Sequence, residues 1–359
     1  MEKKKVLVGM SGGVDSSVAA YLLKEQGYDV IGATLHMWQE IEGESRCCGV
    51  DAIEDARRVA DMLEIPFYVL NFKNEFKKKV VDYFFEDYKN GRTPNPCIQC
   101  NRYVKWEALY QRAKELGAEY IATGHYARIA KHPETGRFCI EMSAAAAKDQ
   151  TYVLYNLTQE QLEHTLMPCG EYTKEEIRAI AEKIGLRVAD KPDSMEICFI
   201  PDNDYVSFIE RNYKYKPKEG NFVDMSGNVL GKHKGIINYT VGQRKGLGIA
   251  FGKPMYVNRI LPEKNQVVLG SNDDLFEREV YAENINFVAW ESIEGEKRAK
   301  AKIRYAHKAA DCTVSLTDGG LLKCTFDQSQ RAATPGQALV VYDENGLVLC
   351  GGTIIKPKN

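Results

Sequence analysis

No run of apolar residues in this chain of 359 residues approaches the length of a membrane span, so neither a transmembrane segment nor a membrane partner is expected. The charged start, Met1–Lys5, is followed by an apolar segment that is too short for a signal peptide. Both absences predict a cytoplasmic protein. The ten cysteines should be reduced there, so closely spaced cysteines are candidates for chemistry before they are candidates for structural disulfides.

The Walker A motif is also absent, because no Gly-Lys-Ser/Thr follows the glycine-rich turn at Ser11–Ser17. That turn lies between an apolar run, Val6–Met10, which predicts a buried strand, and a helical pattern that ends at Gly27. Such a turn brings backbone N–H groups at a helix N-terminus to a phosphate, and serine hydroxyls add donors. The carboxylate of Asp15 would repel a phosphate, which predicts a bridging Mg²⁺ ion.

Strand and helix patterns alternate over about the first 125 residues, which predicts an α/β fold with a doubly wound parallel sheet. The later elements are predicted at 29–35, 52–63, 67–70, 74–90 and 119–123, with two short helices between 160 and 185. Ligands of these sheets bind beyond the carboxyl ends of the strands, so the segments that begin at Ser11, His36 and Gly124 should meet in one crevice. Met37 in this crevice would either contact an adenine or belong to the core. The spacing of the residues favours neither interpretation.

A small basic region rich in glycine follows. Residues 211–259 contain ten Lys and Arg against two acids, a local charge of +8, so the rest of the chain carries −10 to reach the total of −2. This region is either an ordinary solvated surface or the binding surface for a polyanion. Tyr213, Tyr215 and Tyr239 lie between the charges, a pattern that suits stacking on RNA bases.

After about residue 275, short alternating strands separated by turns predict a small antiparallel β-barrel. The chain is therefore predicted to form three domains. These are a nucleotide-binding domain, a basic central domain and a C-terminal barrel, at 1–204, 205–274 and 275–359.

The cysteines Cys97 and Cys100 are spaced as Cys-x-x-Cys in a segment, 91–101, whose two prolines and polar residues predict a loop. Such a pair permits half a zinc site completed by Cys47 and Cys48, although adjacent cysteines are poor partners in a tetrahedral site. It also permits a redox pair, part of an iron–sulfur site, or a nucleophile. Another cysteine, Cys198, lies in an apolar segment that reads as a strand, where a cysteine is usually inert core.

Motifs along the whole chain resemble those of the tRNA-specific 2-thiouridylases, which are pyrophosphate-loop enzymes of the ATP pyrophosphatase superfamily. In chain order they lie at 11–17, 93–101, 123–128, 148–152, 197–200, 239–247 and 304–305. Two departures stand out. Cys97 occupies a position where the family often has Asp, and the alanine-rich segment 143–147 is expected to be a flexible connector.

The resemblance implies an enzyme that uses ATP and Mg²⁺ to adenylate the 2-oxygen of a tRNA wobble uridine and then replaces that oxygen with sulfur. AMP and pyrophosphate would be released, and the base would be flipped out to reach the site. By motif position, Cys198 would carry a persulfide from a sulfur-relay protein or a cysteine desulfurase, and Cys100 would attack it. Arg92, Arg102 and Lys105 are expected to lower the pKa of Cys100 if they lie close to it.

The resemblance also implies two sets of binding residues, and no resident metal ligand. The nucleotide would contact Gly9, Met10, Ser11, Gly12, Gly13, Val14, Asp15, Ser16, Met37 and Gly124. RNA would contact Asn95, Pro96, Cys97, His125, Lys148, Asp149, Gln150, Arg304, Tyr305 and Gln337.

Three alternatives stay open at this point. An amide-forming ligase with the same loop would need neither a reactive cysteine pair nor a basic domain. A nucleotide- and RNA-binding protein without chemistry would leave the sulfur content of tRNA unchanged when its gene is removed. An iron–sulfur cluster on Cys97, Cys100 and Cys198, less favoured, would bind sulfide at its free iron. The sulfur donor, the set of tRNAs and the oligomeric state do not follow from the sequence.

Overall fold

The computed structural model describes residues 3–38, 50–186, 197–249 and 252–356. Two compact units divide the chain. The first unit contains Met1–Val81, Pro96–Asn203 and Gly346–Val348, and the second contains Asp82–Asn95, Asp204–Asn345 and Leu349–Asn359. The chain therefore passes between the units several times.

Helices occupy the predicted segments 52–63 and 74–90 and lie between 160 and 185, whereas Pro96–Gln99 and Tyr205–Tyr213 form helices that were not predicted. The helices are α1 Val14–Glu25, α2 Val50–Met62, α3 Lys73–Phe76, α4 Asp82–Lys89, α5 Pro96–Gln99, α6 Leu109–Glu115, α7 Gln159–Glu163, α8 Lys174–Lys183 and α9 Tyr205–Tyr213. π-Helical turns follow α3 at Lys77–Val81 and α5 at Cys100–Ala108. No helix in the described part of the chain is both long enough and apolar enough to cross a membrane.

The strands that the structure describes form three open sheets and one closed barrel. The strands are β1 Lys5–Gly9, β2 Asp29–His36, β3 Phe67–Asn71, β4 Tyr120–Ala122, β5 Ala127–Lys131, β6 Phe138–Met142, β7 Thr165–Leu166, β8 Gly220–Val223, β9 Val229–His233, β10 Tyr256–Leu261, β11 Gln266–Gly270, β12 Phe276–Phe287, β13 Lys297–Lys302, β14 Ala310–Leu316, β15 Leu322–Arg331, β16 Ala338–Tyr342 and β17 Val348–Ile355.

The first unit is built on a parallel sheet with the strand order β3-β2-β1-β4-β7, which confirms the predicted α/β fold. The central strand β1 is buried on both faces. Val6 and Val8 pack in a core with side chains from α1, α2 and α8, while Gly9 faces Leu109 of α6. The strand order reverses direction at β1, so the crevice between the carboxyl ends of β1 and β4 is where a ligand is expected.

The alanine-rich segment 143–147 is not the flexible connector that its composition predicted. Ser143 and Ala145 are buried, and Ala145 belongs to the same core as α1. The backbone N–H of Ala144 donates to the carbonyl of Gly170. Close packing explains a small side chain only at Ala145, because Ala144, Ala146 and Ala147 are exposed.

The second unit contains a four-stranded sheet in the order β10-β11-β8-β9 and a closed barrel in the order β12-β15-β14-β13-β16-β17. The closed barrel confirms the predicted antiparallel β-barrel. Its interior holds three buried free thiols, Cys312, Cys324 and Cys350, whose strands place them among apolar side chains. Every cysteine that the structure describes is a free thiol.

Candidate active site

The glycine-rich turn forms the link between β1 and α1. The backbone N–H of Met10 donates to the carbonyl of Ala33, and the hydroxyl of Thr34 donates to the carbonyl of Met10, so the strand end is fixed from β2. Gly13 is the N-cap of α1, and no side chain caps that helix. An uncapped helix N-terminus at the end of a buried strand offers backbone N–H donors and a positive partial charge to an anion.

The three serines of the turn have different roles. The hydroxyl of Ser16 accepts a hydrogen bond from the backbone of Ser11 at 3.1 Å and donates to the carbonyl of Gly13 at 3.2 Å. Ser17 is fully buried and donates to the same carbonyl at 2.8 Å. Ser16 and Ser17 therefore hold the turn in shape, whereas the side chain of Ser11 is exposed and accessible to a ligand.

Two glycines are required by the close approach of backbones. Gly12 has φ +72°, and a Cβ atom there would lie 2.4 Å from the carbonyl oxygen of Ala52. A Cβ atom on Gly124, after β4, would lie 2.6 Å from the backbone of Asp15 and Ser16. The segment after β4 thus presses on the first turn of α1. Among the other predicted nucleotide contacts, Met10 and Val14 bury their side chains in the core and offer only backbone.

The carboxylate of Asp15 already has a cationic partner. The ammonium of Lys174 lies 2.7 Å from Oδ1 and 2.9 Å from Oδ2, and the hydroxyl of Tyr126 donates to Oδ1 at 2.7 Å. Sequence reasoning missed Lys174, and it quoted Tyr126 in a motif without giving it a role. One signal was present. Thr173 and Glu176 form a capping box, which places Lys174 in a first helical turn, where the helix dipole disfavours a cation.

The Cys-x-x-Cys pair lies on a helix, so the prediction of a loop over 91–101 is wrong for its second half. Pro96 is the first residue of α5, a position that proline favours because its missing N–H would have no partner there. Cys97 is exposed, whereas Cys100 is buried and its thiol lies 3.8 Å from the sulfur of Met37. Met37 is itself 8% exposed, so it packs as a core residue does, and its contact with an adenine stays a prediction.

Cys198 lies in a turn and not in the strand that its apolar neighbours predicted. The backbone N–H of Ile200 donates to the carbonyl of Ile197, which closes the turn, and Cys198 is half-buried. Phe199 is buried against Trp38 and Phe76, with ring centroids 6.3 and 5.6 Å away.

The dipeptide Met37–Trp38 contacts both cysteine segments. Met37 touches Cys100, and Trp38 touches the neighbour of Cys198. The structure therefore brings the two predicted catalytic cysteines into the region that follows β2. The predicted zinc partners Cys47 and Cys48 lie outside the described residues, as does most of the segment before Ile197. Within the described ranges, no group of three or more His, Cys, Asp or Glu side chains is placed to hold a metal ion.

Two of the three cations that were expected to activate Cys100 have other contacts. Arg92 forms an ion pair with the buried carboxylate of Asp87, and desolvation raises the pKa of that carboxyl. The guanidinium of Arg102 lies 5.2 Å from the ring centroid of Tyr103. The pKa of His125 is held well below its usual range by burial and, to a lesser degree, by the charge of Lys105. The expected effect on the Cys100 pKa stays a prediction.

The predicted RNA contacts of the first unit differ in accessibility. His125 is buried, hydrogen-bonded to Thr123 at 2.6 Å and packed near Trp106. Asp149 is buried and accepts a hydrogen bond from Thr151, while Gln150 accepts one from the backbone of Tyr126. Lys148 is half-buried at the end of a 3₁₀ turn, Pro96 is buried and Cys97 is exposed. Direct RNA contact therefore suits Lys148 and Cys97 better than His125.

In the second unit, Gln337 and Arg304 hold backbone segments. The amide of Gln337 donates to the carbonyls of Thr93 and Pro94 at 2.9 and 3.2 Å, just before Asn95. Arg304 donates to the carbonyl of Ala332 and the hydroxyl of Thr334. Tyr305, by contrast, is 46% exposed.

The basic region places all ten of its cations on the surface. Arg211, Lys214, Lys216, Lys218, Lys232, Lys234, Arg244, Lys245, Lys253 and Arg259 are exposed. Arg244 and Lys245 make no ion pair with any residue that the structure describes. The tyrosines behave differently from the prediction. Tyr239 is buried, and Tyr213 stacks on Phe85 at 4.1 Å, so these two rings serve protein packing. Tyr215 contacts the same ring edge-on.

Three family models together match nearly the whole chain. They are described as a tRNA methyl transferase HUP domain at residues 4–202, a tRNA methyl transferase PRC-barrel domain at 207–271 and an aminomethyltransferase beta-barrel domain at 277–355. A crystal structure of a 4-thiouridine synthetase–RNA complex with bound ATP is 19% identical, with a TM-score of 0.39, and covers 58% of this chain and 50% of that one.

Curated relatives match from end to end. A tRNA-specific 2-thiouridylase MnmA from Lachnoclostridium phytofermentans is 60% identical over 98% of this chain and 100% of its own length. One from Clostridioides difficile is 54% identical over 98% of both chains. One from Clostridium perfringens is 56% identical over 99% of both.

The contact of Gly124 with α1 predicts that one added methyl group at this position lowers the stability of the fold. Gly124→Ala should lower the free energy of unfolding by about 1–3 kcal/mol, because the new Cβ must displace backbone and not a flexible side chain. Gly319→Ala is the control, since its nearest neighbour would be a hydroxyl at 3.9 Å, and it should change stability by no more than about 0.5 kcal/mol. Urea denaturation measures both, and equal stabilities would contradict the close approach.

Proposed function

The chain belongs to the family of tRNA-specific 2-thiouridylases, and we propose that it replaces the 2-oxygen of a tRNA wobble uridine with sulfur at the expense of ATP. The observation that carries the proposal is the uncapped N-terminus of α1 at the reversal point of the sheet, in the same unit as both predicted catalytic cysteines. Donors for a nucleotide phosphate and two thiols are what this reaction would require.

The first half of the reaction activates the base. A carbonyl oxygen is a poor leaving group, and adenylation turns it into part of AMP, which leaves readily. The backbone N–H groups of Gly13–Asp15 and the hydroxyl of Ser11 would hold the phosphates. Mg²⁺ would accompany the nucleotide and neutralise phosphate charge when bound. Gly12 and Gly124 support this proposal, since their close contacts keep the turn in the shape that exposes those groups.

The second half transfers sulfur and depends on an external sulfur donor and an external thiol reductant. Cys198 would carry a persulfide that a sulfur-relay protein or a cysteine desulfurase supplies. The thiolate of Cys100 attacks the inner sulfur of that persulfide, a Cys100–Cys198 disulfide forms, and HS⁻ leaves. HS⁻ then attacks C2 of the adenylated uridine and expels AMP. A thiol reductant must supply two electrons to reopen the disulfide before the next cycle.

A second version of the chemistry would require Cys97, Cys100 and Cys198 to hold an iron–sulfur cluster that supplies the sulfide. The structure describes all three side chains and does not group them as metal ligands. The two versions differ in what they require of Cys97. The persulfide route uses only the buried Cys100 and the half-buried Cys198, and it leaves the exposed Cys97 without a chemical role. Anaerobic purification followed by an absorption spectrum and iron analysis decides between them.

The products of ATP turnover test the nucleotide half. In the presence of tRNA and a sulfur source, the purified protein should convert ATP into AMP and pyrophosphate, as thin-layer chromatography of labelled ATP would show. Asp15→Ala should abolish this turnover, because the ammonium of Lys174 at the first turn of α1 loses the carboxylate that holds it in place. Release of ADP and phosphate would contradict the assignment of the turn as a pyrophosphate loop.

The cysteines test the sulfur half. Cys100→Ser and Cys198→Ser should each abolish tRNA thiolation while part of the AMP formation remains, since neither thiol takes part in adenylation. Cys97→Ser is the matched control and should keep substantial activity if the persulfide route operates. Mass spectrometry of tRNA nucleosides separates an oxygen-to-sulfur exchange from a methylation. Wild-type thiolation by Cys198→Ser would refute both versions, and loss of activity in Cys97→Ser would favour the cluster.

The exposed cations test the RNA contact. Replacing Arg244 and Lys245 together by Gln should weaken tRNA binding and reduce the dependence of log affinity on log salt by about 1.5, because about two phosphate contacts are lost. The control replaces Arg178 and Lys183 by Gln, two exposed cations of α8. Filter binding at several salt concentrations gives both slopes. If the wild type and the first variant have the same slope of log affinity against log salt, Arg244 and Lys245 do not contact RNA phosphates.

A further inference from the structure

Lys174 occupies a position that helix electrostatics disfavours. It is the first residue of α8, whose N-terminus is already closed by the capping box of Thr173 and Glu176. A helix N-terminus carries a positive partial charge, so a lysine in the first turn is repelled unless an anion compensates. The capping box closes the start of α8 without the ammonium of Lys174, so the position of this side chain requires another explanation.

Asp15 and Tyr126 fix the ammonium group in place. Its nitrogen lies 2.7 and 2.9 Å from the two carboxylate oxygens of Asp15 and 5.7 Å from the ring centroid of Tyr126. The side chain of Lys174 is 9% exposed, and that of Asp15 is 29% exposed. A long flexible side chain has thus already lost most of its conformational freedom before any ligand binds.

The site of this ion pair is the first turn of α1, directly beside the backbone donors of the glycine-rich turn. A carboxylate alone would repel phosphate there, but the pair is neutral, and its ammonium can bond to a phosphate oxygen in place of a carboxylate oxygen. The positive partial charge at the uncapped N-terminus of α1 then adds to a fixed cation. This combination suits a ligand with several adjacent negative charges.

We propose that Lys174 binds the pyrophosphate portion of ATP and that Asp15 is the positioning residue that holds its ammonium for this purpose. The proposal rests on the proposed use of ATP and deepens it. It gives Asp15 a role that differs from the metal anchor predicted from the sequence. Lys174 contacts the group that leaves during adenylation, so it would stabilise the charge that develops on pyrophosphate.

The test compares ligands that share the adenosine but not the pyrophosphate. Isothermal titration of the full chain in excess Mg²⁺ measures affinity for ATP, inorganic pyrophosphate and AMP. Lys174→Met should weaken ATP and pyrophosphate by about 10- to 100-fold, the value of a charge-assisted hydrogen bond, and leave AMP within about twofold. Lys183→Met, at the exposed end of the same helix, should change none of the three.

A second variant guards against a folding defect. Lys174→Met leaves the carboxylate of Asp15 without its cation and should lower the melting temperature, and the additional change Asp15→Asn should recover part of that loss. The double variant should still bind pyrophosphate weakly and AMP normally. Equal weakening of AMP and ATP would show a purely structural role, and wild-type pyrophosphate affinity in either variant would overturn the proposal alone. A wild-type protein that binds neither ATP nor pyrophosphate would overturn the proposed function itself.

Discussion

The first turn of α1 lies so close to the backbone after β4 that no side chain fits between them. Gly124 meets the backbone of Asp15 and Ser16, and on the other side Gly12 meets the backbone of Ala52. These contacts fix where the helix begins relative to the strand before it. The backbone N–H groups that would hold a phosphate belong to that first turn. Their orientation therefore depends on steric contacts between backbone segments and not on adjustable side chains.

The architecture follows from the sequence because it depends on repeating patterns. Alternation of strand and helix predicts the parallel sheet, and short alternating strands after about residue 275 predict the barrel. Local exceptions were harder to foresee. Pro96 reads as a loop residue and instead begins a helix, and the apolar neighbours of Cys198 suggest a strand although their backbone closes a turn. Proline suits both a loop and the first position of a helix, and the turn at Cys198 depends on one backbone hydrogen bond that composition does not predict.

The site itself was predictable only where its residues are neighbours in sequence. The glycine-rich turn could be predicted as a phosphate site from its own contiguous sequence. The partner of Asp15 could not, because Lys174 lies 159 residues further along the chain. Tyr239 is a residue whose predicted role depended on its sequence neighbours and was wrong. An aromatic residue between charges suits RNA, yet burial of its ring depends on packing that only the fold determines.

The path of the chain between the two units has a consequence for synthesis on the ribosome. Helix α4 and the loop after it are made early, but the residues that cover them come much later. Phe85 stacks on Tyr213, and Tyr88 stacks on Tyr205. The carbonyl of Thr93 accepts a hydrogen bond from Gln337. The aromatic rings of α4 therefore lack these partners while more than a hundred further residues are synthesised. Exposed apolar rings of this kind are binding sites for chaperones during that period.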